Sequence, residues 1–133
     1  MMALFTFREK ERLKKKKLID QLFTSGMSFF SYPFKVVWLL TESDHPYPVR
    51  VLISVSRRTM KRAVDRNRVK RQVREVYRHQ KDKIYAFLEE KKQHALLGII
   101  FTGNELLTHE QTSEKINQVM ARLLKEMKKQ IDH

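Results

Sequence analysis

The chain has 133 residues, of which 41% are apolar, and a formal net charge of +13. This length and composition predict one globular domain, 1–133, rather than a disordered chain. The absence of cysteine excludes disulfides and thiolate metal sites, and no apolar run approaches the roughly 18 residues that would span a membrane. The start of the chain lacks the pattern of a secretory signal, so we expect a cytoplasmic protein.

The first half of the chain predicts one helix and three strands. Residues 11–24 place apolar side chains at helical spacing, and the helix is expected to end at Ser25-Gly26. A weak strand pattern covers 27–32. Two stretches rich in β-branched and aromatic residues, 33–41 and 49–56, flank a turn that contains two prolines. This arrangement predicts a β-hairpin.

The second half predicts a long helix over 66 to about 90, a buried strand over 94–103 and a last amphipathic helix. Thr108 followed by Gln111 predicts a capping box at the start of that last helix. Apolar residues then recur at steps of three and four, at Ile116, Met120, Leu123 and Met127. The element order αβββαβα predicts an α/β (α+β) two-layer sandwich with three helices and a small, mostly antiparallel sheet of about four strands.

The positive charge is concentrated in two segments. Residues 57–78 hold ten Lys and Arg against Asp65 and Glu75, a net of +8, and residues 8–17 carry a net of +5. The rest of the chain has as many acidic as basic groups. A neutral body with two basic segments indicates a binding site for a polyanion.

A helical wheel divides the first part of the long helix into an apolar stripe and a cationic face. Val69, Val73 and Val76 fall within about 60° of one another and are predicted to face the core. The opposite arc carries five cations and one amide: Lys70, Arg74, Asn67, Arg78, Arg71 and Arg68. Like charges at this spacing repel by about a few tenths of a kcal/mol per pair, a cost that a bound phosphate backbone would remove. Arginine forks also bind phosphate oxygens bidentately.

Two polar residues near the start of this helix have more than one reading. Asn67 could donate to a phosphate or a base edge, or hold a hydrated metal ion near RNA. Asp65 stands where the N-cap of the helix is expected, which would make it a structural residue.

No arrangement of side chains predicts that the protein itself catalyses a reaction. Neither of the common glycine-rich phosphate-binding patterns occurs. Glu89-Glu90 and Asp44 lack the neighbours that a metal site requires. The five histidines are scattered over turns and termini: His45, His79, His94, His109 and His133. We therefore predict no catalytic residue and no metal site in the protein.

Residues 63–74, AVDRNRVKRQVR, resemble the arginine-asparagine-arginine signature of the bacterial ribonuclease P protein family. The stretches RLKKKKLIDQLFTSG, LISVSRR and HALLGIIF resemble that family's first helix, the strand before its signature and its late strand. The resemblance covers roughly residues 8–128. The chain departs from the family pattern at Met60, near which many members have a glycine, and at Ile19, where many have a phenylalanine.

The resemblance implies a protein subunit of an endoribonuclease that removes the 5′ leader of precursor tRNA. It implies a left-handed βαβ crossover, and it assigns the chemistry to a catalytic RNA subunit that holds Mg²⁺. The partners would be that RNA and precursor tRNA, with no membrane and no obligate protein partner. The signature loop and helix, 57–80, would bind the catalytic RNA through Arg57, Arg58, Lys61, Arg62, Arg66, Asn67, Arg68, Lys70, Arg71, Arg74 and Arg78.

The resemblance also implies a cleft for the leader, between the first helix and one face of the sheet. Single-stranded RNA stacks on apolar rings while its backbone attracts cations. Alternation places Lys35 and Val37 on one face of their strand and Phe34 and Trp38 on the other, where we expect core packing. For the Phe23 side chain, packing in the core and a place in the cleft are equally good interpretations. The predicted leader-binding residues are Arg12, Lys14, Lys15, Ile19, Phe23, Lys35 and Val37.

Three other classes of protein remain as alternatives. A ribosomal or other RNA-binding protein on the same fold would share the basic helix but need no leader cleft. A free-standing nuclease would require a carboxylate or histidine cluster. A helix-turn-helix DNA-binding protein would use the basic helix, but the paired strands before it fit that class poorly.

Overall fold

The fold is an α+β sandwich, which confirms the predicted class. The computed structural model describes residues 9–132, so Arg8, His133 and the expected lack of a secretory signal lie outside the described residues. The elements are a 3-10 turn at Glu9–Glu11, α1 (Lys16–Ser25), β1 (Met27–Ser31), β2 (Phe34–Thr41), β3 (Val49–Val55), α2 (Ala63–Gln80), α3 (Asp82–Lys91), β4 (His94–Phe101) and α4 (His109–Ile131).

The four strands form one mixed sheet in the order β1-β2-β4-β3. β2 pairs antiparallel with β1 and with β4, whereas β3 pairs parallel with β4. The predicted hairpin is therefore wrong, because β4 lies between its two strands. From Ala95 to Ile99 every residue of β4 is buried, and a strand that is apolar on both faces is most stable in the interior of a sheet.

The connection from β3 to β4 runs through α2 and α3. Parallel neighbours require such a crossover, since a short turn cannot return the chain to the starting end of the strand. The left hand of the crossover stays a prediction.

The main core lies between one face of the sheet and the helices α2, α3 and α4. Phe34, Val36 and Trp38 of β2 are each no more than 1% exposed within it. Core packing of Phe34 and Trp38 is therefore confirmed, because strand alternation turns these side chains away from Lys35.

The last helix, α4, begins with the predicted capping box. The Gln111 N–H donates to Thr108 Oγ1 at 3.1 Å, and the Thr108 N–H donates to the Gln111 side-chain oxygen at 3.0 Å. The predicted apolar face of this helix is buried in the core, at Ile116, Met120, Leu123 and Met127.

The opposite face of the sheet is covered in part by α1. Leu22 is fully buried there and packs in a small cluster with Leu13, Val37 and Leu96. Gly98 lies where α1 crosses β4, since a Cβ at that position would be 3.4 Å from Leu22 Cδ2. The contact therefore leaves little room for a side chain on this residue of β4.

Arg12 and Leu13, between the 3-10 turn and α1, pair with β3 instead of continuing a helix. The Leu13 N–H donates to the Val51 carbonyl at 2.8 Å, and Arg12 makes a parallel bridge with Val51. The first helix therefore begins at Lys16 rather than at the predicted residue 11.

The predicted long helix is divided into α2 and α3 at Lys81. Lys81 is buried and forms an ion pair with Glu11, near the start of the described chain. The prediction of one continuous helix was wrong because a tertiary contact, rather than a glycine or proline, accompanies the break.

The start of α2 also differs from the prediction. The N-cap is Arg62, which makes no side-chain cap hydrogen bond, and Asp65 lies in the first turn. The N-cap prediction for Asp65 is therefore wrong. Its carboxylate lies 3.7 Å from Arg62 Nε, and a negative charge in the first turn stabilises a helix through the helix dipole.

Candidate nucleic-acid interface

α2 presents its valines to the core and its basic side chains to solvent. Val69, Val73 and Val76 are each no more than 3% exposed, as the helical wheel predicts. Tyr77 is fully buried next to them and widens the apolar stripe. Arg68 and Arg71 are exposed, which confirms the direction predicted for their side chains.

An open groove of about 560 Å³ follows the cationic side of α2. We call it the α2 groove, and it is lined by Arg12, Asn67, Lys70, Arg71, Arg74, Glu75 and Arg78. Arg12 comes from the segment beside β3, so the two basic segments of the sequence meet here. The sequence grouped Arg12 with the leader-binding residues, whereas the structure places it with the residues of α2.

The crowding of cations is visible at Arg74. Burial, and after it the neighbouring charge of Arg12, lower the pKa of Arg74. A guanidinium nevertheless remains charged in proteins. The groove therefore holds a positive charge that an incoming phosphate would neutralise.

One carboxylate, Glu75, also lines the α2 groove. Arg78 donates to it from Nε at 2.9 Å and from a terminal nitrogen at 2.7 Å, and His79 Nε2 lies 3.4 Å away. The hydrogen bond from Arg78 holds the pKa of Glu75 below its usual value. Arg78, predicted to bind RNA, is thus largely neutralised within the chain, unlike the exposed Arg68 and Arg71.

The loop before α2 carries four exposed cations: Arg57, Arg58, Lys61 and Arg62. Met60, by contrast, is 5% exposed and belongs to the main core. The Ser56 N–H donates to the Phe101 carbonyl at 2.9 Å, and the Met60 N–H donates to the Ser56 carbonyl at 3.1 Å. A buried methionine and these two bonds hold the loop, and the cations extend from it.

Arg66 holds the same loop from the side of the helix. One terminal nitrogen of its guanidinium donates to the carbonyls of Met60 and Lys61, at 3.0 and 2.6 Å. Part of the hydrogen-bonding capacity of this predicted RNA ligand is therefore used inside the chain. The residue type could be read from the sequence, but this contact depends on how the loop folds.

A second surface lies on the sheet face that α1 covers only in part. The strand register aligns Phe30, Lys35, Ile100 and Ser54 across the four strands. Phe30 is 54% exposed, Lys35 is exposed beside it, and Phe23 of α1 is 46% exposed. We call this row, together with Phe23, the open sheet face. It combines aromatic rings with a cation.

Phe30 was absent from the predicted leader-binding residues. Strand alternation along β1 carries the missing signal, because it must turn Phe29 and Phe30 to opposite faces. Phe29 is 8% exposed in the main core, so Phe30 emerges on the open sheet face.

The other predicted leader-binding residues differ in how exposed their side chains are. Val37 is 4% exposed beneath α1, so the prediction that its side chain meets a ligand is corrected. Ile19 is half-buried in the same cluster. Lys14 pairs with Glu9, and Lys15 is exposed at the start of α1.

The described part of the chain, 9–132, contains no group of three His, Cys, Asp or Glu side chains that could hold a metal ion. His45 lies in the turn between β2 and β3, and His94 is the first residue of β4. His94 Nε2 lies 2.9 Å from the carbonyl oxygen of His45. Within the same residues no helix is long and apolar enough to cross a bilayer.

The fold and its two surfaces define a class: a small α+β protein with clustered arginines on its surface, a charge pattern typical of proteins that bind a polyanion. The sequence matches the family described as Ribonuclease P over residues 7–128. The chain therefore belongs to the ribonuclease P protein family, and the resemblance seen in the arginine-asparagine-arginine signature is confirmed.

Proteins of known identity agree with this assignment. The chain is 36% identical over 104 residues to the ribonuclease P protein component of Porphyromonas gingivalis. The aligned region covers 78% of this chain and 76% of that protein. It is 33% identical over 106 residues to the corresponding component of Chlorobium phaeobacteroides, covering 74% and 73%. These relatives support a subunit of ribonuclease P rather than a ribosomal protein.

Solved structures match the fold. The RNase P protein of Staphylococcus aureus superposes with a TM-score of 0.63 at 21% identity, covering 85% of this chain and 94% of that one. The RNase P protein of Thermotoga maritima gives 0.62 at 22% identity, covering 84% and 96%. The α+β sandwich is thus shared across sequences that differ at most positions.

Proposed function

We propose that the protein binds the catalytic RNA of ribonuclease P through the α2 groove and the loop before α2. The observation that carries this proposal is the exposure of Arg68 and Arg71 on α2, with Arg71 and Arg12 lining the same groove. Arginine forks match the geometry of phosphate oxygens, and each neutralised phosphate releases counterions. The exposed loop cations Arg57 and Arg58 extend the same surface.

The open sheet face supports a second contact, with the 5′ leader of precursor tRNA. Phe23 and Phe30 offer rings for stacking, which contributes about 1–3 kcal/mol per base. Lys35 and Lys15 supply cations for the backbone of the leader. Ile19 packs against the apolar cluster of Leu22 and Val37 on the same side of the sheet.

The chemistry in this proposal belongs to the RNA. Mg²⁺ keeps several of its waters and is bound largely through phosphate oxygens, which the RNA supplies. We assign Mg²⁺ to the RNA subunit, and to the protein the binding of RNA and leader. We propose that the protein acts in the cytoplasm, with the catalytic RNA and precursor tRNA as its partners.

One experiment tests the proposal: cleavage of a precursor tRNA by a transcribed ribonuclease P RNA at low Mg²⁺, with and without the protein. We expect the protein to lower the Mg²⁺ concentration required and to cut nothing alone. Cleavage without RNA would favour a free-standing nuclease. No effect on the RNA-catalysed reaction would overturn the proposal and favour another RNA-binding role.

A further inference from the structure

The N-terminal segment, residues 9–15, is anchored by a buried ion pair at the junction of α2 and α3. Glu11 is fully buried, and Lys81, its partner, is 4% exposed. Tyr85 Oη donates to Glu11 Oε1 at 2.7 Å, and Tyr77 Oη donates to Tyr85 Oη at 3.3 Å. The carboxylate is therefore held by Lys81 at the junction and by Tyr85 of α3, and Tyr77 of α2 bonds Tyr85 in turn.

Burial raises the pKa of both tyrosines, Tyr77 and Tyr85, above the ordinary value. Both hydroxyls thus stay protonated and able to donate. The ammonium of Lys81 also lies 4.9 Å from the centre of the Tyr85 ring, a favourable place for a cation. This cradle is complementary to a carboxylate on the incoming segment.

A buried ion pair is a costly way to hold a segment, because two charges lose their water. Apolar side chains would serve as well if stability alone were needed. What the pair adds is a defined position, since an apolar residue could pack against Tyr77 and Tyr85 in several registers. Glu11 fits only where Lys81 and Tyr85 meet it.

That position determines where Arg12 points. Glu11 is held in the cradle, and Leu13 is 3% exposed with its N–H bonded to the Val51 carbonyl. Neighbouring side chains in an extended segment point in opposite directions. With both neighbours turned inward, Arg12 is directed outward, and it lines the α2 groove.

We infer that Glu11 and Lys81 are positioning residues, which dock the N-terminal segment so that Arg12 completes the RNA-binding surface of α2. The inference rests on the proposed function of the α2 groove. It predicts a change in RNA affinity opposite to the one that net charge alone would give. Removing the negative charge of Glu11 makes the protein more positive, which by simple attraction would tighten RNA binding, whereas loss of the anchor weakens it.

The test measures the affinity of the full chain for a transcribed ribonuclease P RNA as a function of salt. Arg12→Ala should reduce the slope of log K against log salt by about 0.7–0.9, and should weaken binding about 5–8-fold at 0.1 M salt. Glu11→Gln should weaken binding by a similar factor. In the Glu11→Gln background, Arg12→Ala should then cost almost nothing.

Glu75→Gln is the matched control. It removes the same charge from the surface of α2, and we expect it to tighten binding. Glu11→Gln that binds as tightly as the wild type, or an Arg12→Ala cost of the same size in both backgrounds, would overturn the inference. If the proposed function itself fails, Arg68→Ala with Arg71→Ala will also leave RNA binding unchanged. This result distinguishes failure of the proposed function from failure of the inference.

If Glu11→Gln does not fold, Glu11→Leu with Lys81→Met replaces it, since a buried pair can be exchanged for apolar residues without loss of the fold. This variant keeps an apolar anchor but loses the charged pair that sets the register. Arg12→Ala should therefore cost much less in it than in the wild type. A full cost of about 5–8-fold in this folded variant would overturn the inference that the pair positions Arg12.

Discussion

The guanidinium of Arg66 donates to the carbonyl of Met60 at 3.0 Å, so the helix α2 holds the loop that precedes it. The same nitrogen also bonds the Lys61 carbonyl. Met60 is itself buried in the main core. The exposed cations of this loop therefore extend from a backbone that is fixed at both the helix and the core.

Arg66→Ala removes both of these bonds. Because each hydrogen bond contributes about 1 kcal/mol, we expect a loss of about 1–2 kcal/mol in the free energy of unfolding, measured by urea denaturation. Limited proteolysis should cut sooner within 57–62. Arg62→Ala, an exposed change on the same segment, serves as the control. Equal protease resistance in the two variants would show that Arg66 does not hold the loop.

Arg68→Ala combined with Arg71→Ala tests the cationic face of α2. The two contacts together should lower the salt slope of RNA binding by about 1.4–1.8 and the affinity by about 25–60-fold at 0.1 M salt. Both side chains are exposed, so the melting temperature should be unchanged. A large drop in melting temperature would mean that these arginines stabilise the fold instead.

Glu75→Gln should tighten RNA binding. Its carboxylate accepts two hydrogen bonds from Arg78, and the change frees that guanidinium for phosphate while raising the net charge by one. Titration with ribonuclease P RNA at several salt concentrations measures the effect. Unchanged or weaker binding would show that Glu75 is needed to orient Arg78.

Phe30→Ala tests the open sheet face. If one leader base stacks on this ring, its loss costs about 1–3 kcal/mol, or roughly 5–150-fold in affinity for precursor tRNA. A tRNA without a leader should bind equally well to both proteins. Met27→Ala is the control. Met27 is 50% exposed, and its register partner Trp38 shows that it lies on the core face of the sheet, away from the open sheet face. Equal effects of the two changes would remove Phe30 from the leader surface.

Thr108→Ala removes the capping box of α4. We expect a loss of about 1 kcal/mol in the free energy of unfolding, with RNA affinity unchanged. Thr108→Ser keeps the hydroxyl that accepts from the Gln111 N–H, and it should restore most of the stability. Thermal or urea denaturation of the two variants measures the difference, and equal losses would show that the hydroxyl is not the cause.

Local patterns predicted much of this structure. The valine stripe, the alternation that buries Phe34 and Trp38, and the capping box at Thr108 each depend on residues a few positions apart. Other predictions failed because they depend on distant partners. β4 separates the two strands of the expected hairpin, Glu11 joins Lys81 at the helix break, and α1 covers Val37.

The sequence by itself determined the family, the class of fold and the cationic face of α2, because charge, apolar periodicity and a spaced signature are properties of short segments. Only the tertiary structure decided which residues share a surface. Arg12 meets the arginines of α2, and Phe30 meets Lys35, through strand pairing and one buried ion pair between segments 70 residues apart. Such contacts follow from the packing of the whole chain, which no short segment specifies.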